Sequence, residues 1–186
     1  KSSGLWAIRD VTRIYFGASS DLPVPGDYDG DGKVDAGIFR ESSSLWAIRD
    51  LTRLYYGKTG DQPVPGYYDG DGAKDIAVFR GSSGLWGLRS ISRIYFGGSN
   101  DLPLPGDYDG VGNWSPAIFR PASGMWAIRG LTRYYFGGTN DQPVPADYDG
   151  DLVDDAGIFR DTSGLWAIRG LTRLYYGREK DLSVTR

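Results

Sequence analysis

One forty-residue repeat runs through the chain without gaps. Residues 1–40, 41–80, 81–120 and 121–160 align in a single register, and residues 161–186 follow the start of the same repeat. Repeats of about 20–50 residues are typical of solenoids, propellers and arrays, because one repeat cannot bury its own apolar face and packs on its neighbours. The fold must therefore give every repeat nearly the same environment, and we expect residues 1–186 to form a single repeat domain.

Four short segments of each repeat carry strand signals. In the first repeat they are LWAIR at 5–9, TRIYF at 12–16, LPVPG at 22–26 and AGIFR at 36–40. They are rich in aliphatic, β-branched and aromatic residues and are bounded by turn residues. Two residues separate the first two segments, and glycine at this turn in later repeats predicts a type II′ hairpin. The prolines of the third segment restrict how it can pair.

The predicted strands are apolar on both faces, since Trp6 and Ile8 alternate with Leu5 and Ala7. Sheets buried on both sides are expected where blades stack around an axis. The chain is therefore predicted to be an all-β protein, a β-propeller of four-stranded blades. Four complete blades are predicted at about 21–60, 61–100, 101–140 and 141–180. A fifth, incomplete closing blade would be shared between residues 1–20 and 181–186. An open repeat array is the alternative.

A recognisable combination of motifs joins these strands. The run DLPVPGDYDGDGKVDAGIFR, followed by SSLWAIRD and then LYYG, resembles the FG-GAP or VCBS-type repeats of integrin-like β-propellers in a short bacterial form. The resemblance covers essentially the whole chain. It implies that each repeat is a propeller blade and that the loop between its first two strands binds calcium. It implies no particular ligand, since such propellers serve adhesion, sugar binding and scaffolding alike.

The loop chemistry agrees with that expectation, because alternating Asp and Gly residues wrap oxygen ligands around a hard cation. In the first repeat we expect Ca²⁺ to be bound by four carboxylates and one backbone carbonyl, from Asp27, Asp29, Asp31, Asp35 and, for the carbonyl, Lys33. The fourth repeat offers Asp147, Asp149, Asp151 and Asp155, but it has Leu152 where the first has Gly32. That leucine strains the loop if the position needs a positive φ.

The second and third loops are less complete. The second keeps Asp69, Asp71 and Asp75 but begins with Tyr67, so weaker binding is expected. In the third, Val111 and Ser115 replace two carboxylates, so calcium is not expected there. The competing interpretation for all four loops is that Asp and Gly simply form turns through Asx-type hydrogen bonds without any metal. A cluster of four carboxylates without a cation would be electrostatically unfavourable, which favours the metal.

Two other repeated residue types have a structural and a functional interpretation. The tryptophans at 6, 46, 86, 126 and 166 lie inside apolar strands and are expected in the core, although they could instead form sugar-stacking platforms. Trp114 occurs in one repeat only, inside the incomplete third loop, and is the better candidate for an exposed aromatic contact, although a structural role without any specific contact is favoured. Arginine recurs near positions 9 and 13 of each repeat, where pairing with carboxylates or stacking on tyrosine is favoured over a ring that binds an anionic polysaccharide.

Composition narrows the classes of function. The chain has no His and no Cys, and nearly every polar residue of interest recurs in each repeat, so an enzyme is not expected. A net charge of -3 without a basic stripe argues against nucleic-acid binding, and no apolar run is long enough for a membrane span. We expect a non-enzymatic, extracellular or cell-surface module for adhesion or for protein or glycan interaction, with structural calcium. The alternatives are a multivalent lectin and a surface-layer or filament subunit that self-assembles through open blade edges.

Overall fold

The described residues, 4–8 and 12–177, form short β-strands and no helix in a computed structural model. The strands are β1 (Leu5–Ile8), β2 (Thr12–Tyr15), β3 (Leu22–Pro23), β4 (Gly37–Arg40), β5 (Leu45–Ile48), β6 (Thr52–Tyr55), β7 (Gln62–Pro63), β8 (Ala77–Arg80), β9 (Leu85–Leu88), β10 (Ser92–Tyr95), β11 (Leu102–Pro103), β12 (Ala117–Arg120), β13 (Met125–Ile128), β14 (Thr132–Tyr135), β15 (Gln142–Pro143), β16 (Gly157–Arg160), β17 (Leu165–Ile168) and β18 (Thr172–Tyr175). No helix in this part of the chain is long and apolar enough to cross a membrane.

Sixteen of these strands form four sheets of four strands each, which we call blade 1 (β3–β6), blade 2 (β7–β10), blade 3 (β11–β14) and blade 4 (β15–β18). Each blade is a meander in which strands adjacent in sequence pair with one another. In blade 1 the antiparallel register places Leu22 opposite Phe39, Phe39 opposite Trp46, and Trp46 opposite Leu54. This is the arrangement of a propeller blade, so the predicted all-β class and four-stranded blades are confirmed.

The prediction of five blades is corrected. Residues 4–8 and 12–177 form four four-stranded blades, and β1 and β2 form a separate two-stranded sheet. The first repeat supplies to this sheet only the two segments that correspond to the outer strands of a blade. The inner strands of a blade come from sequences such as those of β3 and β4, and no such pair joins β1 and β2 in the described structure. The predicted contribution of residues 181–186 lies outside the described residues.

The hairpin turn between the outer strands also differs from its prediction. Ile48 pairs with Thr52, so three residues form the connection, and the amide of Leu51 donates to the carbonyl of Ile48 at 3.2 Å. The positive φ falls on Asp50, at 61°, which is the second central residue of that turn. A positive φ there is the pattern of a type II turn and not of type II′. The strands are antiparallel neighbours, as predicted, but they are joined by a different turn.

Contacts divide the chain into two compact units. The first comprises the described residues of Lys1–Arg80 and Leu85–Ile94, and the second those of Gly81–Gly84 and Tyr95–Arg186. In the first unit, an apolar cluster joins Trp46 and Phe39 of blade 1 to Ile76 and Val78 of blade 2. In the second, Phe119 and Trp126 of blade 3 pack with Ala156, Ile158 and Ala167 of blade 4. Both units therefore use the same positions of the repeat to pack consecutive blades face to face.

Each blade is also fastened by a bidentate ion pair between residues 19 positions apart. In blade 3, Nε and Nη2 of Arg120 donate to the two carboxylate oxygens of Asp101 at 2.6 and 2.9 Å. The aspartate side chain is 1% exposed, whereas the arginine side chain is 42% exposed. The same bond recurs in the other three blades as the pairs Asp21–Arg40, Asp61–Arg80 and Asp141–Arg160. It links the start of the short inner strand to the end of the next strand.

Candidate metal centres

The four acidic loops begin and end on the same small β-bridge. We call residues 26–35 loop 1, 66–75 loop 2, 106–115 loop 3 and 146–155 loop 4. The first and last residues of each loop pair as an isolated antiparallel bridge, which in loop 1 is Gly26 with Asp35. The hydroxyl of Tyr28 donates to the carbonyl of Val24 at 2.9 Å, and the equivalent tyrosine does so in every loop. The base of each loop is therefore held to the core while its tip stays exposed.

Loop 1 brings three of its four predicted carboxylate ligands together. Oxygens of Asp27, Asp29 and Asp35 lie within 4.8 Å of one another. The carboxylate of Asp27 accepts the amides of Gly30 and Gly32 at 2.7 and 2.8 Å. Both glycines have positive φ, at 76° and 82°, which lets the chain fold back over the first aspartate. This turning gathers the carboxylates at the exposed side of the loop.

Asp31, the fourth predicted ligand, is not in that group. Its carboxylate accepts the amide of Lys33 at 2.8 Å and the Lys33 ammonium at 2.8 Å. These hydrogen bonds hold the pKa of Asp31 below its ordinary value and raise the pKa of Lys33. The sequence predicted a role for the Lys33 carbonyl only. The Lys33 ammonium is paired with the Asp31 carboxylate and would compete with a cation for its oxygens.

Loop 4 has the same turns with a different grouping. Asp147, Asp149 and Asp151 place carboxylate oxygens within 4.8 Å of one another, and Asp155 is not among them. The Asp155 carboxylate accepts the amide of Tyr148 at 3.0 Å. Burial raises the pKa of Asp155, and the three neighbouring aspartates raise it further against the lowering effect of that amide. The carboxylates of this loop therefore repel one another where no cation is present.

Leu152 occupies a position that needs a positive φ, which is the strain predicted from the sequence. Its φ is 73°, close to the 82° of the equivalent Gly32 in loop 1. Its amide still donates to the second carboxylate oxygen of Asp147, at 3.0 Å. The loop thus keeps the geometry of loop 1 although a branched side chain stands where glycine is favoured.

Loops 2 and 3 lack the grouping among the described residues. In loop 2, Asp69 and Asp71 accept amides within the loop, and Asp75 accepts the amide of Tyr68 at 2.8 Å. Burial first, and then the charges of Asp69 and Asp71, raise the pKa of Asp75.

In loop 3, Asp107 still accepts the amides of Gly110 and Gly112, both at 2.8 Å. Asp109 also accepts the amide of Val111, at 3.3 Å. The aspartates at the first and third positions are therefore enough to shape the turn, and the carboxylates at the fifth and ninth positions are not needed for it.

Neighbouring loops within each compact unit are linked through their backbones. The amide of Lys74 in loop 2 donates to the carbonyl of Asp27 in loop 1 at 2.6 Å. In the second unit the amide of Asp154 donates to the carbonyl of Asp107, also at 2.6 Å, and the Asp154 carboxylate accepts the Asp107 amide at 2.9 Å. The first aspartate of one loop is therefore positioned partly by the next loop.

Sequence reasoning missed three rows of residues that shape these loops. The tyrosines at 28, 68, 108 and 148 fix the loop base, the residues at 74 and 154 link loops, and the Asp–Arg pairs that begin at Asp21 fasten the strand before each loop. The tyrosines and the Asp–Arg pairs recur at forty-residue spacing, which is the signal that could have identified them. The linking residues, Lys74 and Asp154, are eighty positions apart and differ in type, so no such signal marks them in the sequence. The roles of all three rows need the fold, because the partners lie on different strands or in different blades.

The repeated aromatic residues belong mainly to the core. Trp46, Trp86 and Trp126 are completely buried, which confirms their expected core position. Trp114, the candidate for an exposed aromatic contact, is half-buried. Among the repeated arginines, the guanidinium of Arg169 lies 4.3 Å from the ring centroid of Tyr134, on the preceding blade. Stacking between blades thus occurs at this pair, as predicted.

Three-carboxylate groups at exposed loop tips are suited to hard divalent cations, which prefer oxygen ligands, and the backbone carbonyls of the same loops can complete the shell. Comparison with known proteins identifies no relative, since no family model, no curated protein and no solved structure matches the chain.

Proposed function

We propose that this chain is a non-enzymatic, calcium-binding repeat module of the FG-GAP or VCBS type that acts outside the cell in adhesion or in protein or glycan interaction. The grouping of three carboxylates within 4.8 Å in both loop 1 and loop 4 carries the proposal. Calcium would be structural, since it would bind loops that belong to the frame of each blade. Its role would be to hold exposed loop tips in one conformation.

The arrangement of loop 1 supports calcium in particular. Asp27 at the first position, Asp29 at the third and Asp35 at the ninth provide oxygens, and the carbonyl of Lys33 lies at the seventh. Calcium takes six to eight oxygen ligands with flexible geometry, whereas magnesium demands a near-ideal octahedron and keeps several waters. An exposed loop of several carboxylates and one carbonyl, open to water, suits the larger ion.

The rival interpretation is that the loops are metal-free turns. Loop 3 shows that such a turn forms with two aspartates, Asp107 and Asp109, whose carboxylates accept amides of the loop. Loops 1 and 4 retain additional carboxylates that the turn does not require. In loop 4 burial and then the charges of the other three aspartates raise the pKa of Asp155. Carboxylates that repel one another destabilise an empty turn, and a bound cation would remove that repulsion. A cation therefore explains why these loops contain carboxylates that the turn does not need.

Isothermal titration calorimetry with calcium would test the proposal. The wild-type chain is expected to bind two ions at its stronger sites, with a weaker third at loop 2. Asp27→Asn with Asp29→Asn should remove the loop 1 site, and Asp147→Asn with Asp149→Asn the loop 4 site. Asp109→Asn in loop 3 is the matched control and should leave the stoichiometry unchanged. An absence of calcium binding in the wild-type chain, or a stoichiometry that survives both double substitutions, would refute the calcium assignment.

The lectin alternative receives less support. The repeated tryptophans were its natural sugar platforms, and three of them are completely buried. The tyrosines that end β2, β6, β10, β14 and β18 remain exposed, but a protein ligand could use them equally well. We therefore propose an interaction module as the function and leave its ligand to binding assays with glycans and surface proteins.

A further inference from the structure

The outer strands of blade 4 have an exposed apolar face. In blades 1 and 3 the equivalent face is covered by the next blade. We call it the trailing face of a blade, meaning the face that packs on the next blade in the chain. In blade 1 this face includes Trp46, Leu54 and Tyr56, which pack with Ile76 and Val78 of blade 2. In blade 3 it includes Trp126, Tyr134 and Phe136, which pack with Ala156, Ile158 and Ala167 of blade 4.

The same positions in blade 4 are uncovered among the described residues. Leu174 is 45% exposed and Tyr176 is 77% exposed, whereas the equivalent Leu54 and Tyr56 are half-buried. Trp166 is only half-buried, whereas Trp46, Trp86 and Trp126 are completely buried. A cavity of about 320 Å³ opens on this face, lined mainly by Tyr148, Trp166, Leu174 and Tyr176. An exposed apolar surface of this kind marks an interaction site.

The β1–β2 sheet carries the opposite, leading face, meaning the face that packs on the preceding blade. Position 87 of blade 2 lies on a leading face, because a β-carbon there would meet the hydroxyl of Tyr56. The equivalent residue of blade 4, Ala167, is 2% exposed and packs with blade 3. In β1 the equivalent residue is Ala7, which is exposed, as is its neighbour Leu5.

We propose that the trailing face of blade 4 binds the leading face of the β1–β2 sheet of a second copy of this chain, so that molecules associate head to tail. The repeat argues for this occupant. Trailing faces of this sequence pack on leading faces of this sequence twice within the chain, once in each compact unit. The two exposed faces of one molecule are different and complementary, which is the condition for a heterologous contact that can propagate. The proposal is independent of calcium, since the residues changed in its test lie outside the four loops.

Sedimentation analysis over a range of concentrations tests the proposal. The average mass of the wild-type chain is expected to rise with concentration to at least twice that of the monomer. Leu174→Glu places a charge on the trailing face, and Ala7→Glu places one on the leading face, so each variant alone should remain monomeric. Tyr175→Glu is the matched control, because Tyr175 is 76% exposed on the other face of the same strand. This variant should associate as the wild type does.

Mixing the two blocked variants distinguishes head-to-tail contacts from other modes. The Ala7→Glu chain keeps a free trailing face and the Leu174→Glu chain keeps a free leading face. An equal mixture should therefore form a dimer of one chain of each kind and nothing larger. If Leu174→Glu loses the circular dichroism of a β-sheet, Tyr176→Ser replaces it, since it removes mainly exposed ring atoms. A wild-type chain that stays monomeric at millimolar concentration, or an Ala7→Glu chain that associates with itself, would overturn the proposal.

Discussion

Leu152 holds a backbone conformation that glycine holds in the equivalent position of the other loops. Its φ of 73° lies in the left-handed region, which costs an L-residue roughly 1–2 kcal/mol. The side chain is 75% exposed and so gains little from burial. What keeps the residue there is the bond from its amide to Asp147 and the turn that this bond closes. The strain is local to the loop tip.

Leu152→Gly is expected to raise the free energy of unfolding. The relief of strain exceeds the extra flexibility that glycine gives the unfolded chain, so a net gain of about 0.5–1 kcal/mol is expected. Urea denaturation in chelator would measure it. The reverse change in loop 1, Gly32→Leu, is the matched partner and should destabilise the protein by a similar amount. A loss of stability in Leu152→Gly would contradict this account of the strain.

The Asp21–Arg40 pair should make the free energy of unfolding depend on pH in the acid range. The side chain is 1% exposed, and the hydrogen bonds from Arg40 lower its pKa from the ordinary value of 3.8, against the raising effect of burial. A carboxylate with a lowered pKa in the folded state contributes stability that is present above 3.8 and is lost as the pH falls through the folded-state value. Asp21→Asn should therefore be less stable than the wild type at neutral pH.

The difference between Asp21→Asn and the wild type should shrink as the pH falls below 3.8, and urea midpoints measured across the acid range would show it. Asp50→Asn serves as the control, because the Asp50–Arg49 contact is exposed and 3.4 Å long. That variant should follow the wild-type curve within experimental error. A difference between Asp21→Asn and the wild type that stays constant with pH would be inconsistent with a lowered pKa.

At the scale of single elements, the Asp–Arg pair is the clearest support of the short inner strand. Strands β3, β7, β11 and β15 have two residues each, and each contains a proline that cannot donate a ladder hydrogen bond. Such strands are held weakly by pairing alone. A second attachment comes from the Asp–Arg pair. The aspartate lies just before the short strand, and it accepts a bidentate hydrogen bond from the arginine that ends the next strand.

Asp101→Asn should weaken that attachment in blade 3. Asparagine cannot accept the bidentate bond as a carboxylate does, and a loss of about 1–3 kcal/mol is expected for a buried, charge-assisted hydrogen-bond partner. Arg120 is 42% exposed and keeps its hydration, which places the loss at the lower end. Urea denaturation would measure the loss, and hydrogen exchange should increase at β11 first. Equal exchange across all blades would argue against a local role.

The hairpin turn shows where sequence reasoning reached its limit at this scale. Strand positions followed from short apolar runs bounded by turn residues, and both faces of such a strand are buried, as the consecutive residues Trp46 and Ala47 show. The turn type did not follow from the sequence. Glycine at position 130 indicates a positive φ, but it does not indicate whether that residue is the first or the second central residue of the turn. Register decides that question, and register is set by pairing such as that of Ile48 with Thr52. Asp50 and Ser90 adopt the same positive φ, so glycine is favoured but not required there.

At the scale of the whole chain, the four-stranded blades and the acidic loops between their strands were predictable, whereas the absence of a fifth blade from the described residues was not. Forty-residue periodicity gives each repeat the same strands and the same loop. Whether β1 and β2 gain inner strands depends on contacts between residues far apart in sequence, which periodicity does not specify. Which carboxylates lie together in each loop could be predicted only in part. In loop 1 the Lys33 ammonium pairs with Asp31, and the sequence pattern does not indicate where that ammonium lies.

Calcium is expected to raise the melting temperature. An ion that binds only the folded chain stabilises it by about 2.7 kcal/mol per site at a hundredfold excess over its dissociation constant. For a chain of this size that corresponds to about 5–10 °C per site. Differential scanning calorimetry in calcium and in chelator would measure the shift. An unchanged melting curve in chelator would exclude a structural role for calcium.

Loops 1 and 4 belong to different compact units, so hydrogen exchange can follow each site by itself. In Asp27→Asn with Asp29→Asn, calcium should still protect the amides of loop 4, such as that of Gly150, but no longer those of loop 1, such as that of Gly30. The pair Asp147→Asn with Asp149→Asn should show the opposite pattern. Protection that disappears from both loops in either variant would mean that the sites are not independent.

The near-identity of the outer hairpins also constrains how the chain can reach this structure. Strands β5 and β17 both read LWAI, and β6 and β18 both read TRLY, so each strand could pair with the partner of the other through the same contacts. The native partner is favoured because only three residues separate it, and the entropy of loop closure grows with separation. Between two molecules that refold side by side this advantage weakens. Dilution during refolding is therefore what protects the correct pairing.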